Sequence, residues 1–121
     1  MGYRSDVGLA LSKAGKEKLD AAIKARTDAD PDNAETKDIV SFIGGEPYRI
    51  DESGSVSFLW VDIKWYSSYP EVAFVEDVIS KLDAEDYYFI RVGEADDDTE
   101  ISGRFWENPM EMRLARGIAF D

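Results

Sequence analysis

Carboxylates are the side chains of this chain that offer most chemistry. There are 26 Asp and Glu residues against 14 Lys and Arg, with no His and no Cys. The chain therefore has no imidazole base or thiolate nucleophile, and disulfides, iron–sulfur clusters and zinc sites built from thiolate or imidazole are excluded. Two carboxylates that flank a sugar can still hydrolyse it, and Asp62 with Glu107 would be the pair. No recognisable motif supports that pair, so the sequence predicts a protein that is not an enzyme.

Two clusters of carboxylates have spacings that resemble cation sites. Asp28-x-Asp30-x-Asp32 begins like a calcium loop, but Asn33 takes the place of the required Gly and Ile39 that of the bidentate Glu. The second cluster crowds one predicted hairpin and consists of Glu94, Asp96, Asp97, Asp98 and Glu100. Neither completes a coordination pattern, so we expect no metal and no other cofactor. The hairpin cluster is either an exposed, charged turn or an acidic knob that binds a partner through Asp96, Asp97 and Asp98.

Strand parity brings out a different candidate site. Residues 55–66 and 87–93 alternate as strands do, and one parity is predicted to face the core through Leu59, Val61, Ile63, Trp65, Tyr88, Ile90 and Val92. The opposite parity groups aromatic and charged side chains, namely Phe58, Trp60, Asp62, Lys64, Phe89 and Arg91. Aromatic planes beside cations can stack a base, hold an anion or anchor a protein partner. The alternatives are a second packed layer, with the arginines paired to carboxylates, or a dimer interface.

The elements that must position these residues follow from periodicity and turn chemistry. Strands are predicted at residues 3–11, 55–66, 87–93, 99–105 and 112–120, and helices at 13–26, 34–43 and 71–82. Ser12 is placed to cap the first helix, Gly44-Gly45 ends the second and Pro70 opens the third. This order predicts an α+β fold with a mostly antiparallel sheet and helices on one face, akin to a ferredoxin-like sandwich with additions. We expect residues 1–121 to form one domain, because no linker or repeat interrupts them.

Composition limits the partners. Apolar residues make up 44% of the chain, which suits a folded domain, and the formal net charge is −12. That charge repels nucleic acid and anionic membranes, and no apolar run approaches the roughly 20 residues of a membrane helix. The opening residues lack a signal-peptide pattern. We therefore expect a cytoplasmic protein that binds neither nucleic acid non-specifically nor membranes.

Several segments carry a family resemblance. The opening Met1-Gly2-Tyr3-Arg4-Ser5-Asp6-Val7 resembles that of small bacteriophage and prophage proteins. Further similar segments are Ile63-Lys64-Trp65-Tyr66, Pro70-Glu71-Val72, Phe89-Ile90-Arg91-Val92-Gly93-Glu94 and Phe105-Trp106-Glu107-Asn108-Pro109. The resemblance implies context rather than activity, since phage accessory proteins often bind and redirect host proteins, including defence nucleases.

The leading functional hypothesis is therefore a non-catalytic, phage-type accessory protein that binds a host macromolecule. An acidic surface can occupy the basic channel of a nucleic-acid-binding or defence protein, because carboxylates can stand where phosphates would. One alternative is a small-ligand or nucleotide-binding domain that uses the aromatic and arginine face. Another is a carboxylate-based hydrolase. A host or phage protein is the expected partner, and a homodimer stays open.

Overall fold

A computed structural model of the protein describes residues 2–95 and 97–114. Its elements are, in chain order, β1 (Ser5–Leu11), α1 (Lys13–Ala29), α2 (Ala34–Ile43), β2 (Arg49–Ile50), β3 (Val56–Ile63), α3 (Pro70–Ser80), β4 (Tyr87–Gly93) and β5 (Thr99–Gly103). A single turn of 3-10 helix, Ala84–Asp86, separates α3 from β4.

The strands form one sheet in the order β2-β3-β1-β4-β5, and every neighbouring pair is antiparallel. Because β3 and β4 both run antiparallel to β1, they run parallel to each other with β1 inserted between them. Helix α3 connects them, which makes a split β-α-β unit. The α+β fold with a mostly antiparallel sheet is thus confirmed, while the finer comparison with a ferredoxin-like sandwich stays a prediction.

Local sequence explains where the helices begin and end. The Ser12 hydroxyl accepts the Gly15 N–H at 3.1 Å, and the Asn33 side chain accepts the N–H groups of Glu35 and Thr36. Both pairs satisfy donors that a helix start leaves free. Helix α1 continues past the predicted end at residue 26 to Ala29. Pro31 then disfavours helical geometry at the residue before it, which stops the helix at this point.

The core lies between the helices and one face of the sheet. Its helical members are Leu19, Ile39, Ile43, Val72, Val75, Val78 and Ile79. They pack against Val7, Leu9 and Leu11 of β1 and against Val56, Phe58 and Phe89 of the flanking strands. The predicted placement of the helices on one face is confirmed.

The predicted orientation of β3 and β4 was wrong, and the predicted parity groups of β3 hold only as far as Val61. Leu9 pairs with Phe58 and Phe89, so the inward face of β1 continues into the group assigned to the outer face. Leu59 and Val61 instead point away from the helices and are 43% and 64% exposed. Hydrophobicity alone does not distinguish the two faces of β3, because Phe58 and Trp60 lie on one and Leu59 and Val61 on the other.

A bulge explains why Ile63 and Trp65 nevertheless face inward. Ser5 pairs with Ile63 and Val7 with Trp60, so β3 carries one residue more than β1 over this stretch. Asp62 has a φ of 55° there, in the left-handed region. The extra residue shifts the alternation by one, so Ile63 and Trp65 face the core although Leu59 and Val61 face outward. Trp65 is accordingly buried.

The structure also differs from the prediction at both edges of the sheet and after β5. The edge strand β2 lies in a segment expected to be a loop, where Tyr48 N–H donates to the Ser57 carbonyl at 2.8 Å. Strand β5 ends at Gly103, whose φ of 83° suits glycine alone. Residues 112–114 form no strand, and the remainder of the predicted last strand, 115–120, lies outside the described residues. Within the described ranges, no helix is long and apolar enough to cross a membrane.

Candidate functional site

The aromatic residues of the predicted site lie inside the fold. Phe58 and Phe89 are buried, and Trp60 is half-buried beneath α2. The Trp60 ring stacks on Phe42 of α2 with centroids 4.8 Å apart and an interplanar angle of 8°. Trp65 then links Trp60 to Phe89, at centroid distances of 5.5 and 5.7 Å. These rings pack against α2 and against one another, which is the arrangement of the packed layer that the sequence left open as an alternative.

Arg91 is engaged by neighbouring side chains. Its guanidinium meets both Asp98 carboxylate oxygens, at 2.8 and 3.1 Å, and its Nε donates to Glu100 at 3.0 Å. Nη1 also donates to the Ser5 hydroxyl at 3.1 Å. The hydrogen bonds from Arg91, and then that from Tyr3, hold the pKa of Asp98 below its usual value. Arg91 therefore stabilises the β4–β5 hairpin and has little capacity left for a ligand.

The acidic hairpin is likewise tied to the N-terminal segment. The Tyr3 hydroxyl donates to Asp98 Oδ2 at 2.6 Å and accepts the Ala95 N–H at 3.0 Å. The Glu94 carboxylate accepts the Arg4 N–H at 2.8 Å. Asp97 is exposed, while Asp96 lies outside the described residues. Asp98 thus contributes to the fold rather than to a free acidic knob, and no group of carboxylates in the described part of the chain is arranged to hold a metal ion.

Asp62 and Lys64 are separated from the aromatic layer by the bulge. Asp62 is exposed, its N–H donates to Asp6 Oδ1 at 2.9 Å, and its carbonyl accepts from Arg4 at 3.0 Å. Lys64 is half-buried beside Gly2. The loop that carries Glu107 begins at the opposite end of the sheet, where Phe105 N–H donates to the Tyr87 carbonyl at 3.0 Å. The arrangement gives no support to Asp62 and Glu107 as a pair that flanks a substrate.

The surface that sequence analysis missed is the sheet face turned away from the helices, here called the open face and defined by Leu59, Val61, Ile90, Val92 and Ile101. Ile90 is buried, whereas Ile101 is 48% exposed. Residues 108–114, here called the strap, cross this face without forming a strand. The Met112 sulfur lies 3.0 Å from the position that a Cβ on Gly8 would occupy. Small residues at Gly8 and Ala10 on one parity of β1 were the signal in the sequence that something packs there.

The strap also closes one side of a cavity of about 410 Å³ at the β2 edge of the open face. The floor is formed by β3, the first wall by Tyr48 and Arg49, and the second wall by residues 110–113. Tyr48 and Arg49 were not predicted site residues. The segment before β3 was interpreted as a loop, so the edge strand that positions Tyr48 and Arg49 was not foreseen.

No protein-family model matches the chain, and no curated protein or solved structure matches it either. The resemblance to small bacteriophage and prophage proteins therefore stays a prediction.

Proposed function

We propose that this protein is a non-catalytic, phage-type accessory protein that binds a basic protein of the bacterial host through its open face. The observation that carries the proposal is the exposure of large apolar side chains on that face, where Val61 is 64% and Ile101 is 48% exposed. Apolar side chains grouped on one face of a folded, highly charged protein are typical of a surface that a partner covers.

The exposed apolar side chains are distributed unevenly over the molecule. Besides the open face, they occur at Tyr48 and Ile50 on its β2 edge, at Trp106 after β5 and at Tyr3 before β1. On the three helices of the described chain, Val40 is the one large apolar side chain of comparable exposure. The helical layer therefore exposes less large apolar surface than the sheet side, which is where a partner adds most contact.

Charge identifies the chemistry of that partner. The net charge of −12 steers a basic surface toward the protein over long range. Close to the apolar centre, the exposed carboxylates of Asp6 and Asp62 lie beside Val61 and can pair with Lys or Arg at the rim. A basic nucleic-acid channel of a host enzyme is one surface of this kind, because it is built to accept anions. Such a role places the protein in the cytoplasm.

A matched pair of charge insertions tests the proposal. Immobilised wild-type protein, Val61→Asp and Val40→Asp would each be exposed to bacterial lysate, and bound proteins identified by mass spectrometry. The two variants carry the same added charge and both sites are exposed, so each change should leave the fold intact at a cost of about 1 kcal/mol, which the urea midpoint of each variant checks. We expect a basic protein that is retained by the wild type and by Val40→Asp, lost with Val61→Asp and released by raised ionic strength.

Equal retention by both variants would overturn the open face as the binding surface. Self-association is a different outcome, measured by sedimentation equilibrium of the purified protein. If Val61→Asp abolishes only a dimer, the open face is an interface between copies and the proposed partner is wrong.

A further inference from the structure

We infer that the cavity between β2 and the strap is a binding site for a small aromatic carboxylate. The cavity shares Leu59 with the open face, but Val61 and Ile101, which carry the proposed partner binding, do not line it, and it has its own test. The side chains that give it chemical character are Tyr48, Arg49, Leu59, Met110, Met112 and Arg113.

The arginines that line the cavity favour an anionic ligand. Arg26, Arg91 and Arg104 each form an ion pair with a carboxylate. Within residues 2–95 and 97–114, no such ion pair or hydrogen bond engages the guanidinium of Arg49 or Arg113, and both line this cavity. In a chain with 26 acidic and 14 basic residues, two arginines that line one cavity make it a local exception to the negative surface. A guanidinium offers paired N–H donors that match a carboxylate, so the cavity is suited to an anion.

The walls then indicate what the anion is attached to. The Arg49 guanidinium carbon lies 5.5 Å from the centroid of the Tyr48 ring, within the range of a cation–π contact. On the opposite wall, Met110 and Met112 line the cavity, and methionine side chains pack well on aromatic rings. The volume of about 410 Å³ lies at the lower end of ligand sites, which suits a molecule of one or two rings.

The negative charge of Glu111 favours a carboxylate over a phosphate ester as the anionic group of the ligand. It belongs to the same wall as Arg113, so the lining carries two positive charges and one negative charge. A monoanion is compatible with this balance, whereas the second charge of a phosphate ester would meet the Glu111 carboxylate. We therefore favour an aromatic carboxylate over a nucleotide.

The strap wall is held in place before any ligand arrives. Asn108 is buried, and its Oδ1 accepts the Met112 N–H at 2.7 Å while its Nδ2 donates to the Met112 carbonyl at 3.0 Å. The Glu111 N–H donates to the Asn108 carbonyl at 2.9 Å. Binding therefore requires little ordering of the wall, which favours affinity for a small ligand.

The test uses 2-naphthoate as the probe, followed by amide chemical shifts of the full chain. We expect saturable shifts at Tyr48, Arg49 and residues 110–113, with a dissociation constant below about 1 mM. Arg49→Gln and Arg113→Gln should each weaken binding about tenfold, because each removes a charge-assisted pair. Arg104→Gln is the matched control, since it removes the same charge from an arginine outside the cavity and should leave the affinity unchanged.

Two related ligands check the assignment of the anion. Naphthalene-2-carboxamide has the same shape without the charge and should bind at least tenfold more weakly than 2-naphthoate. Naphthyl phosphate should bind more weakly than 2-naphthoate and gain affinity with Glu111→Gln. Absence of saturable shifts at the cavity, or equal affinities for Arg49→Gln, Arg113→Gln and Arg104→Gln, would overturn the inference. Because Val61→Asp leaves the two arginines in place, failure of partner capture and failure of probe binding are separate results.

Discussion

Replacing Trp60 with Ala tests most directly whether Phe58 and Trp60 of β3 face the helices. Trp60 is half-buried, and its ring stacks on Phe42 at 4.8 Å and on Phe58 at 5.9 Å. Removing a large aromatic side chain from a core costs about 3 to 5 kcal/mol, and the partial exposure of Trp60 places it at the lower end, about 3 kcal/mol. Part of that loss is the stacking itself, since an aromatic pair contributes roughly 0.5 to 1.5 kcal/mol beyond its buried area.

The measurement is the free energy of unfolding from urea titrations, with Trp106→Ala as the control. Trp106 is 62% exposed, so its truncation should change the free energy by no more than about 0.5 kcal/mol. In a chain of 121 residues, a loss of about 3 kcal/mol should lower Tm by roughly 10 °C. If Trp60→Ala cost no more than Trp106→Ala, Trp60 would lie on an exposed face and the described orientation of β3 would be refuted.

Two further substitutions test the elements that surround this layer. Because the pKa of Asp98 is lowered in the folded state, its stabilising contribution is present above the unfolded value of about 3.9 and is lost as pH falls through the folded pKa. Asp98→Asn should therefore lower Tm at neutral pH and flatten the acid limb of Tm against pH, and parallel limbs for the two proteins would contradict the Arg91–Asp98 pair. At the β3 bulge, Asp62→Val should destabilise by about 1 to 2 kcal/mol, because a branched side chain is strained at a φ of 55°. Asp62→Gly relieves that strain, and equal urea midpoints for the two Asp62 variants would argue against the bulge.

The helices and most strand positions could be predicted because their signals are local. Ser12 caps α1, Gly44 ends α2 and Pro70 starts α3, and each acts through hydrogen bonds or backbone geometry within a few residues. Strand β4 was predicted with its observed bounds, Tyr87–Gly93. The two-residue strand β2 has no comparable local signal, because it exists through its pairing with β3.

The orientation of the candidate site was predicted wrongly because both faces of β3 are apolar. In β3 the alternating sets contain Phe58 and Trp60 on one parity and Leu59 and Val61 on the other, so hydrophobicity cannot rank them. The outcome depends on the neighbour, because Leu9 of β1 faces the helices and pairs with Phe58. Gly8 and Ala10 on the other parity of β1 were the better guide, since small residues leave room for a crossing strap rather than for helices.

The same pairing also changes the position of Arg91, a cation on which the ligand-site hypothesis depended. Turning Phe89 inward places Arg91 on the helix-side parity, opposite Glu100 and beside Ser5, where its donors are satisfied within the fold. A guanidinium so engaged gains little from a ligand, because binding would exchange existing charge-assisted hydrogen bonds for new ones. Arg49 differs from Arg91 because it lies on the edge strand β2, where it lines the cavity beside Tyr48. Arg91 near the sheet centre therefore helps to hold the structure together, whereas Arg49 on the edge strand forms no ion pair within the described residues.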